Sequence, residues 1–192
     1  FALYGFPESH AASFALIAYA SAYLRAYHVA AFTCALLNNQ PMGFYHPFTL
    51  VKDAQRHGVS FRAIDVANSG WDCTLEGQDA AVRLGLRYVA GLRQAAGESI
   101  VAARPFASLQ DFTDRAGVRR DELQRLAEVG AFNAFGLTRR SALWQVERAG
   151  RSRGSLAFAE TDEPAPSPLP EMSFPERLHA DMAGTGVTVG AH

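Results

Sequence analysis

Val89-Ala90-Gly91-Leu92-Arg93-Gln94, running directly into Ala95-Ala96-Gly97-Glu98-Ser99-Ile100-Val101-Ala102-Ala103-Arg104, is the stretch that decides how this chain is read. Gly91 supplies a tight joint, Leu92 an apolar anchor and Gln94 the first turn of a helix that Pro105 stops. The first turn of such a helix carries backbone N–H groups without partners inside the helix and the positive end of the helix dipole. A phosphate docks there without touching a base. Arg87, Arg93 and Arg104 are near in sequence and would add charge. Gly91, Leu92, Gln94 and these three arginines are therefore the candidate DNA-binding positions. The layout fits a helix-hairpin-helix and equally an ordinary antiparallel helix pair.

Working outward, the downstream chain repeats the theme of short helices and tight glycine joints. Ser108-Leu109-Gln110-Asp111 is a capping-box-like start, with Asp shorter than the usual Glu. Gly117 ends that helix, residues 120–129 form the next one, closed by Gly130, and Thr138 caps residues 139–149. Residues 150–170 turn to Gly, Ser, acids and prolines and read as an extended or disordered linker. Residues 173–183 read as one more helix.

Upstream, Ser9 is an N-cap for an Ala-rich helix over residues 10–27. Phe14, Ile17, Tyr19, Leu24 and Tyr27 decorate it on more than one side, so it expects burial in a larger body. Residues 29–37 form a second helix, broken at Asn38-Asn39-Gln40-Pro41-Met42-Gly43. Pro47 opens a third helix, residues 48–57, and Gly58 stops it. Residues 59–66 are rich in β-formers, and residues 71–75 and 81–86 flank a polar turn as a small hairpin. The fold class is mainly α: a helical lobe, a small β-hairpin, tandem helix-hairpins and a Pro-rich linker.

The net charge of −1 over 192 residues hides an asymmetry. Thirteen arginines fall in residues 83–153, between two acidic flanks. All basic residues but Lys52 are Arg, whose rigid fork matches phosphate oxygens. Such a block is the footprint of a polyanion partner or a solvated helical face. At 48% hydrophobic residues the chain has material for a core, which excludes wholesale disorder. Two cysteines, Cys34 and Cys73, are too few for a disulfide framework, so a reduced, cytoplasmic setting is expected. No apolar run reaches the roughly 18 residues of a membrane span, so no membrane partner is expected. The start at Phe1 and the end at His192 read as cuts through a longer protein.

Catalytic chemistry has no foothold. Two-metal phosphoryl transfer needs clustered carboxylates, and the acids here are scattered without an Asp-x-Asp. The six His residues lack zinc spacing, and Cys73 would need a distant His to act as a nucleophile. Catalytic, metal and cofactor sites are therefore expected to be none in this stretch. The readings in play are a DNA-binding section of an enzyme, a stand-alone duplex-binding module, and a metal- or cysteine-dependent hydrolase.

Three motifs resemble the bacterial DNA polymerase III alpha subunits, the C-family polymerases, and more narrowly their error-prone ImuC-type branch. Tyr4-Gly5-Phe6-Pro7-Glu8-Ser9-His10-Ala11-Ala12-Ser13-Phe14-Ala15 is similar to a fingers motif, with Pro7-Glu8 in the form of the error-prone branch. Ala35-Leu36-Leu37-Asn38-Asn39-Gln40-Pro41-Met42-Gly43-Phe44-Tyr45 resembles that branch's long signature, with Asn39 where Ser is commoner. Trp71-Asp72-Cys73-Thr74-Leu75-Glu76 and Val82-Arg83-Leu84-Gly85-Leu86-Arg87 resemble its lead-in to a helix-hairpin-helix region. The closing Gly184-Thr185-Gly186-Val187 resembles the passage toward a further domain.

The resemblance implies a division into residues 1–80 as the end of the fingers and its connector, 81–150 as a tandem helix-hairpin-helix gripping duplex DNA, and 151–192 as linker and next domain. It implies a parent enzyme, a DNA-directed DNA polymerase of translesion synthesis and the DNA-damage response. That parent would use Mg²⁺ in a palm domain upstream, with primer-template duplex, dNTP, a sliding clamp and accessory translesion proteins as partners. Glu8, Ser9 and His10 would be nucleotide-proximal. One departure stands out: many such hairpins read Gly-apolar-Gly, and Arg93 replaces the second Gly. A residue other than Gly is strained at positive φ, so the resemblance predicts an altered hairpin or a direct phosphate contact by Arg93.

Overall fold

The computed structural model describes residues 8–78, 80–152 and 167–190. Eight α-helices and a three-stranded sheet form among them: α1 Glu8–Tyr27, α2 Val29–Asn38, α3 Pro47–Arg56, β1 Phe61–Arg62, β2 Thr74–Glu76, β3 Ala81–Arg83, α4 Gln94–Ala102, α5 Leu109–Arg115, α6 Arg120–Glu128, α7 Arg139–Ser152 and α8 Phe174–Thr185. Single 3₁₀ turns at Leu86–Tyr88 and Asn133–Phe135 lead into the hairpin loops. The mainly α class is as expected. The linker expected over residues 150–170 falls largely outside the described residues.

Local chemistry explains most boundaries. Pro47 takes the first turn of α3, where its missing N–H has no partner to lose, and His46 Nδ1 accepts from Phe48 N at 3.2 Å. Gly58 leaves that helix at φ +84°. Ser108 Oγ accepts from Asp111 N at 3.2 Å. The Asp111 side chain accepts from Ala107 N at 2.9 Å, one residue beyond the usual capping-box target, the N-cap N–H of Ser108. Thr138 Oγ1 accepts from Ser141 N at 3.3 Å as the cap of α7.

Two expectations are corrected. Helix α1 begins at Glu8, so Ser9 lies inside the first turn and does not cap it. The β-rich residues 59–66 contribute only Phe61–Arg62 to the sheet. The sheet order is β1-β3-β2, with β1 parallel to β3 (Phe61 opposite Val82) and β2 antiparallel to it (Leu75 opposite Val82).

One core runs from Cys34 to Val187. Its centre is aromatic: Phe112 meets Phe132 edge-on at 5.1 Å and Phe106 at 4.9 Å, around fully buried Leu126, Ile100 and Leu86. The end of α2 is stitched to this body by polar groups. Asn38 accepts from Cys73 N at 2.7 Å and donates to Cys73 O at 2.9 Å, as a strand backbone would. Tyr88 Oη donates to Leu37 O at 2.8 Å. Helix α1 is different. It rests on α2 and is tied by the Arg25–Asp53 pair at 2.8 Å, while Leu16 and Tyr19 stay 71% and 73% exposed.

Candidate nucleic-acid interface

Two loops of the same pattern feed two helices: Gly91-Leu92-Arg93 into α4 and Gly117-Val118-Arg119 into α6. Both glycines adopt positive φ, +79° and +64°, a backbone region other residues enter only at a cost. The apolar residue of each loop then drops inward, Leu92 buried and Val118 packed against the core. Arg93 has φ −73°, so its place after Gly91-Leu92 carries no backbone strain, and the expected alteration of the hairpin does not occur.

The first loop is open to solvent at Ala90, Gly91, Arg93, Gln94 and Ala95. Some of its amides are used: Ala90 N donates to Gly184 O at 2.7 Å and Leu92 N to Val89 O at 3.1 Å. The N–H groups of Gly91, Gln94 and Ala95 meet no acceptor among the described residues. They are free donors at a helix start.

The arginines singled out from the sequence are arranged otherwise than expected. Arg87 turns inward and caps the carbonyl end of α2, donating to Asn38 O at 2.6 Å and Gln40 O at 3.2 Å while pairing with Asp72 at 2.9 Å. Arg104 ties down the turn before β2, donating to Val66 O at 2.7 Å and to Ser69 O. Arg93 pairs with Glu122 through two parallel bonds, Nε to Oε1 at 2.8 Å and Nη2 to Oε2 at 2.9 Å. All three guanidinium groups are engaged by the protein itself. Gly91, Leu92, Arg93 and Gln94 share one loop, and Arg87 and Arg104 do not reach into it with free charge.

Glu122 and Arg125, one turn apart on α6, both face this loop. Glu122 is 1% exposed, and its pKa is held down to about 2, chiefly by the Arg93 bonds and then by backbone N–H groups of Arg119 and Arg93. Arg125 lies across Gly91: a Cβ placed there would sit 2.9 Å from Arg125 Nε. Arg119 and Arg125 are exposed and hold no ion pair among the described residues. Sequence reading missed Glu122, Arg119 and Arg125. The available signal was the repetition of Gly-apolar-Arg at residues 91–93 and 117–119.

A third glycine loop, Gly136-Leu137-Thr138 with φ +70° at Gly136, leads into α7, whose first two arginines are held by α8. There Arg139 pairs with Asp181 at 2.6 Å and Arg140 with Glu176 at 2.7 Å. The open positive surface is thus the first two loops.

The remaining sequence-derived positions lie elsewhere. Glu8 opens α1, and its side chain is outside the described residues. Ser9 and His10 are exposed in the first turns of α1, with the His10 ring edge-on to Phe14 at 4.6 Å. Among the described residues no three His, Cys, Asp or Glu side chains could hold a metal ion together. Both cysteines are buried, and burial pushes the Cys73 thiol up to about 12, far from a nucleophilic thiolate. Among the described residues no helix is long and apolar enough to cross a membrane.

Residues 58–142 match the helix-hairpin-helix motif. The match spans the sheet and the helices from α4 to the start of α7, and it includes both open loops. Over its whole length the chain is 50% identical to an error-prone DNA polymerase of Anaeromyxobacter sp. (strain K), across 206 aligned residues and 18% of that protein. It is 46% identical to the error-prone DNA polymerase of Alkalilimnicola ehrlichii, covering 19% of it, and 43% identical to that of Methylococcus capsulatus, covering 20%. The chain therefore spans about a fifth of the length of the curated relatives it matches.

Proposed function

We propose that this chain is the part of an error-prone, C-family DNA polymerase that grips duplex DNA by its phosphates. The observation that carries the reading is the open Gly91 loop, with unpartnered amides of Gly91, Gln94 and Ala95 beside the unpaired Arg125. Amide donors at a helix start take a phosphate oxygen, and the neighbouring guanidinium adds a charge-assisted bond. Such contacts hold a duplex without reading its sequence.

In this reading residues 1–80 close the fingers, residues 81–150 form the tandem hairpins and residues 151–192 lead to a further domain. The division is one of task, because the core is continuous across it. The polymerase would belong to the ImuC-type branch of the polymerase III alpha subunits and act in translesion synthesis during the DNA-damage response, in the cytoplasm. A sliding clamp and accessory proteins would be its partners. Among the described residues no acids gather to hold a Mg²⁺ pair, and in this reading nucleotidyl transfer would fall to a palm elsewhere in the parent. Glu8, Ser9 and His10 would approach the incoming dNTP, and the acidic Glu8 would weaken attraction for its triphosphate. A lower nucleotide KM in a Glu8→Lys full-length enzyme supports that role, and an unchanged KM removes it.

The stand-alone module reading fares worse against the apolar, exposed α1, a costly surface for an independent protein. Anisotropy titrations with two duplexes of unrelated sequence test the main reading. Equal affinities, with a log–log salt slope of about −2 or steeper, are expected from at least two phosphate contacts. A flat salt response contradicts it.

A further inference from the structure

The two open loops are fastened to one carboxylate. Glu122 Oε1 accepts from the backbone N–H of Arg93 at 3.1 Å and from Arg93 Nε at 2.8 Å. Oε2 accepts from Arg93 Nη2 at 2.9 Å and from the backbone N–H of Arg119 at 2.9 Å. The third residue of each Gly-apolar-Arg loop thus donates its main-chain amide to the same buried side chain. One turn along α6, Arg125 crosses Gly91.

We propose that Glu122 is a positioning residue that yokes the two hairpin loops and divides their arginines by task, neutralising Arg93 and leaving Arg119 and Arg125 as the pair that meets backbone phosphates. The proposal rests on the duplex-binding reading above. Its physics is an exchange of partners. For Arg93 to reach a phosphate, it must leave Glu122 buried and short of two donors, a state far costlier than an exposed arginine left in water. Arg119 and Arg125 give up nothing comparable. The carboxylate occupies the place beside Arg93 that a phosphate would otherwise take, with the same bidentate fit. A lysine at residue 93 could not reproduce that fork.

Two measurements on the whole chain test this. In duplex-binding salt titrations, Arg119→Gln and Arg125→Gln are each expected to flatten the log–log slope by about 0.9, while Arg93→Gln changes it by less than about a third of that. Glu122→Gln frees Arg93, so the slope steepens, and adding Arg93→Gln removes the gain. In hydrogen exchange, the amides of Arg93 and Arg119 are expected to be slow despite lying on exposed residues, and Glu122→Gln should speed both together by about tenfold or more. Equal slope losses in Arg93→Gln and Arg125→Gln overturn the division of labour. Independent or unchanged exchange of the two amides overturns the yoke. If the parent chain shows no salt-dependent duplex binding, the duplex reading fails while the exchange result still decides the yoke. Should Glu122→Gln not fold, the comparison of the single arginine variants and the exchange of the parent chain decide.

Discussion

Helix α1 and the paired hairpins both carry large apolar side chains, and these end in opposite states. In α1 the large side chains Phe14, Leu16, Ile17, Tyr19 and Tyr27 all face solvent. In the hairpin body Phe112, Phe132, Leu126 and Ile100 are sealed. The difference lies in arrangement. The hairpin residues recur at helical spacing between glycine joints, so several short helices fold back on one another and share a core. The residues of α1 surround a single long helix, and among the described residues no neighbour covers all of its sides. Apolar content alone therefore does not make a core, and α1 expects further protein around it, as the greater length of the relatives allows.

The contrast can be broken by mutation. Phe132→Ala should cost about 3–5 kcal/mol of unfolding free energy, whereas Leu16→Ala in α1 should stay within about 0.5 kcal/mol. Chemical denaturation of both variants checks this, and comparable losses would mean that α1 is part of the folded core.

The next effect is electrostatic and sharpens the hairpin side. Glu122 has its pKa depressed from 4.5 to about 2 in the fold. The unfolded chain therefore binds more protons between those values, and stability falls as pH drops through that window. The full loss is on the order of 3 kcal/mol. Denaturation midpoints from pH 6 down to 2 should converge for the parent chain and Glu122→Gln, and a constant gap would contradict the assignment.

Smaller again is Gly91→Ala. The +79° φ sets its cost at about 1–2 kcal/mol, because Arg125 is flexible and can move aside. The smallest change is expected in α1, where Leu16→Asn with Tyr19→Asn should leave the melting temperature nearly unaltered. A drop in melting temperature would count against a free face.

The sequence was informative where a demand is local. Pro47, Gly58, Ser108, Gly117, Gly130 and Thr138 mark real boundaries because cap and left-handed positions are decided within a few residues. Ser9 misled because a good capping residue is also tolerated one position inside a helix. The candidate site was legible in its glycines and not in its charges. Arg87 and Arg104 read as free cations, yet their acceptors are carbonyls at residues 38, 40, 66 and 69, contributed by tertiary packing. Glu122 reads as a solvated helix acid until the first loop folds over it.

The most direct test of the account is amide NMR of the chain titrated with a short duplex of arbitrary sequence. Gly91, Gln94, Ala95 and the Arg119 and Arg125 side chains are expected to shift together, while α1 and the Arg139–Asp181 region stay still. Shifts centred on α1, or none at the two glycine loops, would contradict it.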